Sequence, residues 1–187
     1  MRPINKKMIR AALCLGILLS VQSAGFPQPV TGTLVNTILL LTAMAVSSYW
    51  AVAIGFISPL LGIVRGVVPA AMMPALAFIG LGNMVYLVVF LLTVRTGFPR
   101  IQVPAVILGA SAKYALLWMA ANLVLELPGP AREMLGLPQL GTALAGGLLA
   151  VLMQQPLSRA GVVSAGIRQP GVKRSTMREE MNSVTGY

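Results

Sequence analysis

The fifth apolar stretch of this chain carries the side chains best suited to bind a solute. On a helix that turns about 100° per residue, an arc of about 120° holds five of them: Ser111, Tyr114, Trp118, Asn122 and Glu126. An aromatic pair, an amide and a carboxylate on one face could stack on a small, partly aromatic solute and hydrogen-bond it. Alternatively, the aromatic residues pack or anchor the helix at a membrane interface, and Asn122 bonds a neighbouring helix. For Glu126, a solvated helix end is the favoured interpretation.

Other polar residues stand inside apolar stretches, where burial is costly and makes each a functional candidate. Asn36 and Asn83 lie toward the starts of the second and fourth stretches, and Arg65 lies at the end of the third. The charge distribution described below assigns these ends to the outside. Because successive helices alternate in direction, these ends meet the end of the fifth stretch on one side. The sequence therefore predicts a pocket open to the outside, with these binding residues: Asn36, Arg65, Asn83, Tyr114, Trp118, Asn122 and Glu126.

Lys113 stands on roughly the opposite face of the fifth stretch, in its inner half. Two roles are open to it: its long side chain snorkels to the cytoplasmic surface, or it pairs with a partner protein. Snorkelling is favoured, because a lysine stem can lie along apolar surface while the ammonium stays in water.

The elements that must position these residues are helices in a membrane. Of the 187 residues, 57% are hydrophobic and 10% are charged, whereas an ordinary soluble domain has about 25% charged residues. A chain this short cannot bury so much apolar surface in one water-facing core, so the surplus must face lipid. Six apolar stretches follow one another, and the second and third could instead form one re-entrant hairpin: 9–24, 34–48, 49–64, 76–94, 103–127 and 139–157.

The basic residues are distributed as a topology signal. With a cytoplasmic N-terminus, eleven cations fall inside, at the two ends and in the 95–100 loop, and two fall outside, Arg65 and Arg132. This bias predicts an all-α membrane protein, a bundle of about six transmembrane helices with both termini cytoplasmic. The substrate-binding domain then covers 1–158, and 159–187 form a basic cytoplasmic tail. A cleaved signal peptide ending near 23–25 is the competing interpretation of the first stretch; an uncleaved first helix is favoured.

Composition argues against several function classes. The chain has no His, no Asp and one Cys, Cys14, which excludes a zinc centre, a Ser-His-Asp triad and an aspartyl dyad. The glycine-containing segment 166–175 misses the phosphate-loop spacing, with Val172 where the lysine should stand. We therefore expect no enzyme activity, no metal, no cofactor and no ATP site. Nucleic acid is not an expected partner, because the cations do not form a stripe on a folded surface.

Small residues recur four apart at two places, which lets helices approach closely. Gly141 and Ala145 in the sixth stretch are predicted to contact other helices of the bundle. Ala12 and Gly16 in the first stretch lie near a basic edge, where contact with another membrane protein is also open.

Four segments resemble the substrate-binding S components of energy-coupling-factor (ECF) transporters. They are VNTILLL at 35–41, AVAIGFISPL at 51–60, PALAFIGLGN at 74–83 and GASAKY at 109–114. The resemblance is carried by apolar patterns with a few fixed Gly, Pro and Asn positions, mainly between 35 and 83. The basic C-terminal tail has no counterpart in it.

The resemblance implies a function and a set of partners. It implies six helices in the plasma membrane of a prokaryote, with an outward-facing site for a vitamin-like micronutrient. It also implies a separate transmembrane coupling protein, contacted through Ala12 and Gly16, and two ATP-binding subunits in trans. Two other functions stay open: a structural or assembly membrane protein without a ligand, and a stand-alone secondary transporter. The latter usually needs coupling carboxylates near the midplane, and only Glu126, near a helix end, could serve.

Overall fold

The computed structural model describes residues 3–64, 70–96 and 101–160, and every regular element in these ranges is helical. The elements are α1 (Pro3–Ser23), α2 (Gln28–Ala45), α3 (Ser48–Val64), a 3₁₀ turn (Ala70–Ala75), α4 (Leu76–Arg95), α5 (Gln102–Met119), a π-helical turn (Ala120–Val124), α6 (Gly129–Met134) and α7 (Leu137–Arg159). The all-helical prediction is confirmed for the described part of the chain. Arg65 and residues 161–187 of the predicted tail lie outside it.

Four helical stretches among the described residues are long and apolar enough to cross a membrane: Gln28–Ala45, Ala70–Arg95, Gln102–Val124 and Gly129–Arg159. Two shorter apolar helices accompany them, Met8–Ser23 and Ser48–Ile63. Large apolar side chains point outward around the bundle, among them Leu13, Leu92 and Leu152. Such a surface suits lipid, and the architecture is consistent with a multi-pass membrane protein.

The helices pack mainly as α4 against α5 and α3, and α7 against α2 and α5. The core between them is filled by fully buried side chains: Leu39, Leu40, Tyr86, Phe90 and Val106. Connections are short, with two residues between α2 and α3 and four between α1 and α2. Consecutive helices therefore alternate in direction, and the ends of α1 and α3 meet the starts of α2, α4 and α7 at one end of the bundle.

Prolines begin two helices in segments that the six predicted stretches leave out. α2 starts at Gln28 rather than near 34, with a proline in its first turn, and α6 begins at Gly129, between the fifth and sixth stretches. Proline suits the first turn of a helix, because its missing N–H would have no intrahelical partner there and its φ angle is already helical.

The close helix contact of α7 is made by other glycines than predicted. Gly141 has no heavy atom within 4 Å of an added Cβ, and both Gly141 and Ala145 are exposed. Gly146 and Gly147 are buried instead: a Cβ on Gly146 would collide with the Thr33 carbonyl of α2, and one on Gly147 with Tyr86 and Val106. The prediction for Gly141 and Ala145 is therefore wrong, because α7 presents the face of Thr142, Gly146 and Ala150 to the bundle.

Candidate ligand-binding site

A cavity of about 350 Å³ opens at the end of the bundle where α1 and α3 finish and α2, α4 and α7 begin. Ligand pockets for small molecules begin at about 300 Å³. Its walls are largely apolar, and side chains of α1, α2, α3, α4, α5 and α7 add polar groups: Gln22, Gln28, Thr31, Asn36, Ser58, Asn83, Lys113 and Gln139. A mostly apolar cavity with a few convergent polar groups is the usual form of a small-molecule site.

Lys113 of α5 forms the polar centre of this cavity. Its side chain is 2% exposed, and Nζ donates to Oδ1 of Asn83 over 2.8 Å and to Oδ1 of Asn36 over 3.0 Å. The ammonium also lies 5.9 Å from the centroid of the Tyr86 ring, at the outer limit of a cation–π contact. Three residues that are far apart in the chain thus form one cluster, called here the lysine–diamide cluster: Asn36, Asn83 and Lys113.

A proline inside α3 leaves a backbone carbonyl free to accept a hydrogen bond from Asn83. Pro59 has no N–H, so the carbonyl of Gly55, four residues earlier, lacks its helical donor. That carbonyl accepts from Asn83 Nδ2 over 3.0 Å and from Ser58 Oγ over 2.9 Å. Asn83 Nδ2 also donates to Ser58 Oγ over 3.1 Å. With Nδ2 held by α3, Oδ1 of Asn83 is directed to Lys113.

Asn36 is oriented by its own helix. Its Nδ2 donates to the Gly32 carbonyl over 2.9 Å, which leaves Oδ1 to accept from Lys113. Thr37 Oγ1 lies 2.8 Å from the Thr33 carbonyl and 3.0 Å from the Gly146 carbonyl, so α2 is tied to α7 next to the cluster. Both amides are therefore positioned before any ligand binds.

The positive charge of the cluster has neutral partners. Both hydrogen bonds of Lys113 go to amide oxygens, and the two carboxylates among the described residues, Glu126 and Glu133, are exposed and do not line the cavity. An ammonium out of water is costly unless it is paired, and amide dipoles compensate it only in part.

Gln22, whose side chain lines the cavity, has an unsatisfied acceptor. Its Nε2 donates to the Ser58 carbonyl over 3.1 Å, and since a carbonyl can only accept, this bond fixes which end of the amide is nitrogen. Oε1 of this buried side chain has no hydrogen-bond partner. A buried acceptor without a donor is rare in a folded protein and calls for a ligand or water.

The structure brings together two of the predicted binding residues, Asn36 and Asn83, and adds Lys113 to them. The prediction that Lys113 snorkels to the surface is wrong. Its face of α5 is the buried one, shared with Gly109 and Leu117. Gly109 lies so close to Tyr86 of α4 that an added Cβ would be 2.9 Å from the Tyr86 carbonyl oxygen. This close packing turns the lysine inward.

The aromatic stripe of α5 does not reach the cavity. Tyr114 is half-buried, Trp118 is 46% exposed, and Asn122 and Glu126 are exposed; none of the four lines the cavity. Asn122 Nδ2 bonds the Trp118 carbonyl of its own helix over 2.8 Å, not a neighbouring helix. The expected convergence of these residues with Asn36 and Asn83 is therefore not met, because α5 packs on α4 through its opposite, small-residue face.

Sequence reasoning missed Gln22, Ser58 and the inward direction of Lys113. Two signals were available. Pro59 in the middle of an apolar helix implies a carbonyl in need of a donor, and the small residues around Lys113, from Gly109 to Ala112, favour close packing of that part of α5.

The predicted partner-contact residues lie on the outer side of α1. Ala12 and Gly16 are exposed, and no heavy atom lies within 4 Å of a Cβ added to Gly16. They lie in a shallow, mostly apolar surface groove together with Ile9, Leu13, Ile17, Ser20 and Val21.

No family model matches the chain, and no curated protein or solved structure is significantly similar to it. The class that the fold and the site define is an all-helical protein with the helices of a multi-pass membrane protein and a solute-sized cavity over a buried lysine–diamide cluster.

Proposed function

We propose that this chain is the membrane-embedded substrate-binding subunit of an ECF-type, ATP-driven importer, which captures a small vitamin-like micronutrient from outside a prokaryotic cell. The observation that carries the proposal is the cavity with Lys113, Asn36 and Asn83 at its polar centre. The cavity offers an ammonium, amides and hydroxyls on apolar walls, which suits reversible binding rather than bond-making chemistry.

The position of the cavity supports uptake from outside. It opens at the end of the bundle opposite the start of α1, where Arg2, Lys6, Lys7 and Arg10 mark the cytoplasmic side under the positive-inside rule. Six spans with both termini in the cytoplasm then place the opening outside. Ala11 and Leu18 of α1 are buried in the bundle core and Gln22 bonds α3, which supports a first helix that is kept rather than cleaved.

The groove on α1 supports contact with a second membrane protein. Ala12 and Gly16 make its floor shallow enough for another helix to approach closely. In the proposed importer that helix belongs to the transmembrane coupling protein, and two ATP-binding subunits act in trans.

One observation favours a second candidate, a structural or assembly membrane protein without a ligand. The lysine–diamide cluster joins α2, α4 and α5 by itself, so its hydrogen bonds could serve the fold alone. The two candidates differ in whether anything enters the cavity.

Gentle purification of the protein at native abundance from its own membranes separates the candidates. We expect a helical membrane protein, two ATPases and a stoichiometric small molecule to come with it. A protein that comes out alone and empty, while intact ATPases remain in the same membranes, would support the structural role instead.

A further inference from the structure

We propose that the ligand is a small organic acid whose carboxylate binds Lys113 between Asn36 and Asn83. This assignment rests on the proposed function, because it names the class of solute that the cavity takes. It is carried by a buried cation with neutral partners and by an unpartnered acceptor in the same cavity.

The ammonium is placed and equipped to receive an anion. Lysine has three N–H donors, and the two amide oxygens occupy two of them, which leaves one for a ligand. Asn83 is seven residues into α4 and Asn36 eight residues into α2, so the cluster lies about 10–12 Å below the end of the bundle at 1.5 Å per residue. A ligand that binds it must enter the cavity fully.

Among the described residues, no carboxylate neutralises Lys113, and this indicates which group of the ligand binds it. Neither Glu126 nor Glu133, the two carboxylates in the described part of the chain, lines the cavity. At such a depth, an opposite charge at hydrogen-bonding distance from Lys113 is worth more than at a surface, because little water screens it. A carboxylate supplies that charge and accepts the remaining N–H.

The other side chains of the cavity indicate the chemistry of the remainder of the ligand. Apolar side chains line it above the cluster: Val35, Met72, Leu76, Ile79 and Met134. The free Oε1 of Gln22 can accept from an N–H or O–H donor, on the ligand or on water. The ligand is therefore an acid with a mostly apolar body. A donor on that body would satisfy Gln22, which a purely hydrocarbon acid would leave to water.

The test is the identity of the solute that the protein carries. Wild-type protein and variants are purified from the native host, denatured, and the released molecules are identified by mass spectrometry. A binding assay runs in parallel with four acids and their neutral partners: nicotinate and nicotinamide, pantothenate and panthenol, biotin and biotinamide, lipoate and lipoamide.

Asn36→Asp is the sharpest variant, because it places a carboxylate beside Lys113 without adding an atom to the cavity. This internal counter-ion competes with an acidic ligand while it preserves a bond to the ammonium. Asn122→Asp is the matched control, since Asn122 also bonds the carbonyl four residues earlier but lies outside the cavity. Lys113→Met removes the charge itself. We expect both cavity variants to lose about 10- to 100-fold in affinity for the acid and the control to bind normally.

The outcomes distinguish this inference from the proposed function. An acid released from wild type and from Asn122→Asp, but not from Asn36→Asp, supports both. A neutral or cationic solute, or one that Asn36→Asp retains, overturns the acid and leaves a binding subunit. Wild-type protein that releases no solute and binds none of the eight probes overturns both. Asn36→Asp keeps a partner for Lys113, so the variant should still fold. Measuring its thermal unfolding shows whether a loss of ligand binding is due to a loss of folding.

Discussion

The Nζ atom of Lys113 lies 2.8 Å from Oδ1 of Asn83, and this hydrogen bond joins α5 to α4 in the interior of the bundle. Asn83 Nδ2 also donates to Ser58 Oγ of α3, and the Ser58 carbonyl accepts from Gln22 of α1. A single polar chain therefore crosses four helices and runs along the cavity. A substitution in this polar chain therefore changes both the lining of the cavity and a contact between helices.

Asn83→Ala should destabilise the protein by about 1–3 kcal/mol, the cost of leaving buried polar partners unsatisfied. The substitution deprives Lys113 of one acceptor and the Gly55 carbonyl of one donor. Thermal or denaturant unfolding in lipid nanodiscs measures the loss. Asn122→Ala is the control, because that side chain is exposed and should change stability by no more than about 0.5 kcal/mol. Equal effects of the two substitutions would contradict the position of Asn83.

Gly146→Ala should lower stability by about 1–3 kcal/mol through overpacking and weaken ligand binding as well. Its Cβ would lie 2.8 Å from Cβ of Asn36 and would collide with the Thr33 carbonyl, so α2 and the cluster must shift. The same substitution at Gly141 meets no atom within 4 Å and should be neutral or stabilise the helix by up to about 1 kcal/mol. Opposite signs for two glycines of one helix are the expected result of an unfolding experiment.

If the proposed coupling protein binds the groove on α1, Gly16→Leu should abolish its co-purification and leave solute binding intact. The leucine fills the shallow groove on α1 without touching the bundle, since nothing lies within 4 Å of the added Cβ. Gly141→Leu places the same side chain on the exposed side of α7 and serves as the control. If Gly16→Leu retains its partners, the groove faces lipid and the contact lies elsewhere.

Gln22→Leu should reduce ligand affinity about 2- to 10-fold, the value of one neutral hydrogen bond. The substitution removes both the unpartnered Oε1 and the bond from Nε2 to Ser58. In the empty protein, the loss of that bond and the removal of an unsatisfied acceptor oppose each other, so thermal stability should change little. A large drop in stability with unchanged affinity would assign Gln22 to the fold alone.

The orientation of the chain can be tested with single cysteines in a Cys14→Ala background. Arg132 and Arg159 are both exposed, and the charge distribution puts them on opposite sides of the membrane. A membrane-impermeant maleimide should label Arg132→Cys on intact cells and Arg159→Cys only after permeabilisation. The reverse pattern would turn the cavity toward the cytoplasm and exclude capture from outside.

The positions of helices could be predicted from the sequence where a continuous apolar stretch defines the helix. The expected stretch 76–94 and helix Leu76–Arg95 agree within a residue, and so do 49–64 and Ser48–Val64, because apolar length is a local property. Helix starts at proline were missed, as for α2, because Pro27 and Pro29 favour a turn and a helix start equally. Asn36 and Asn83 were predicted as site residues from the cost of burying an amide in an apolar helix.

The sequence by itself determined that this chain is helical, that its helices are apolar enough to cross a membrane, and that Asn36 and Asn83 are candidates for function. Only the tertiary structure decided which face of α5 turns inward. Periodicity places Lys113 and Trp118 on different faces but does not say which face is buried. That choice was made by contact of Gly109 with Tyr86 and by the amide oxygens that α2 and α4 offer to the ammonium. Both are relations between residues far apart in the chain, which no local pattern contains.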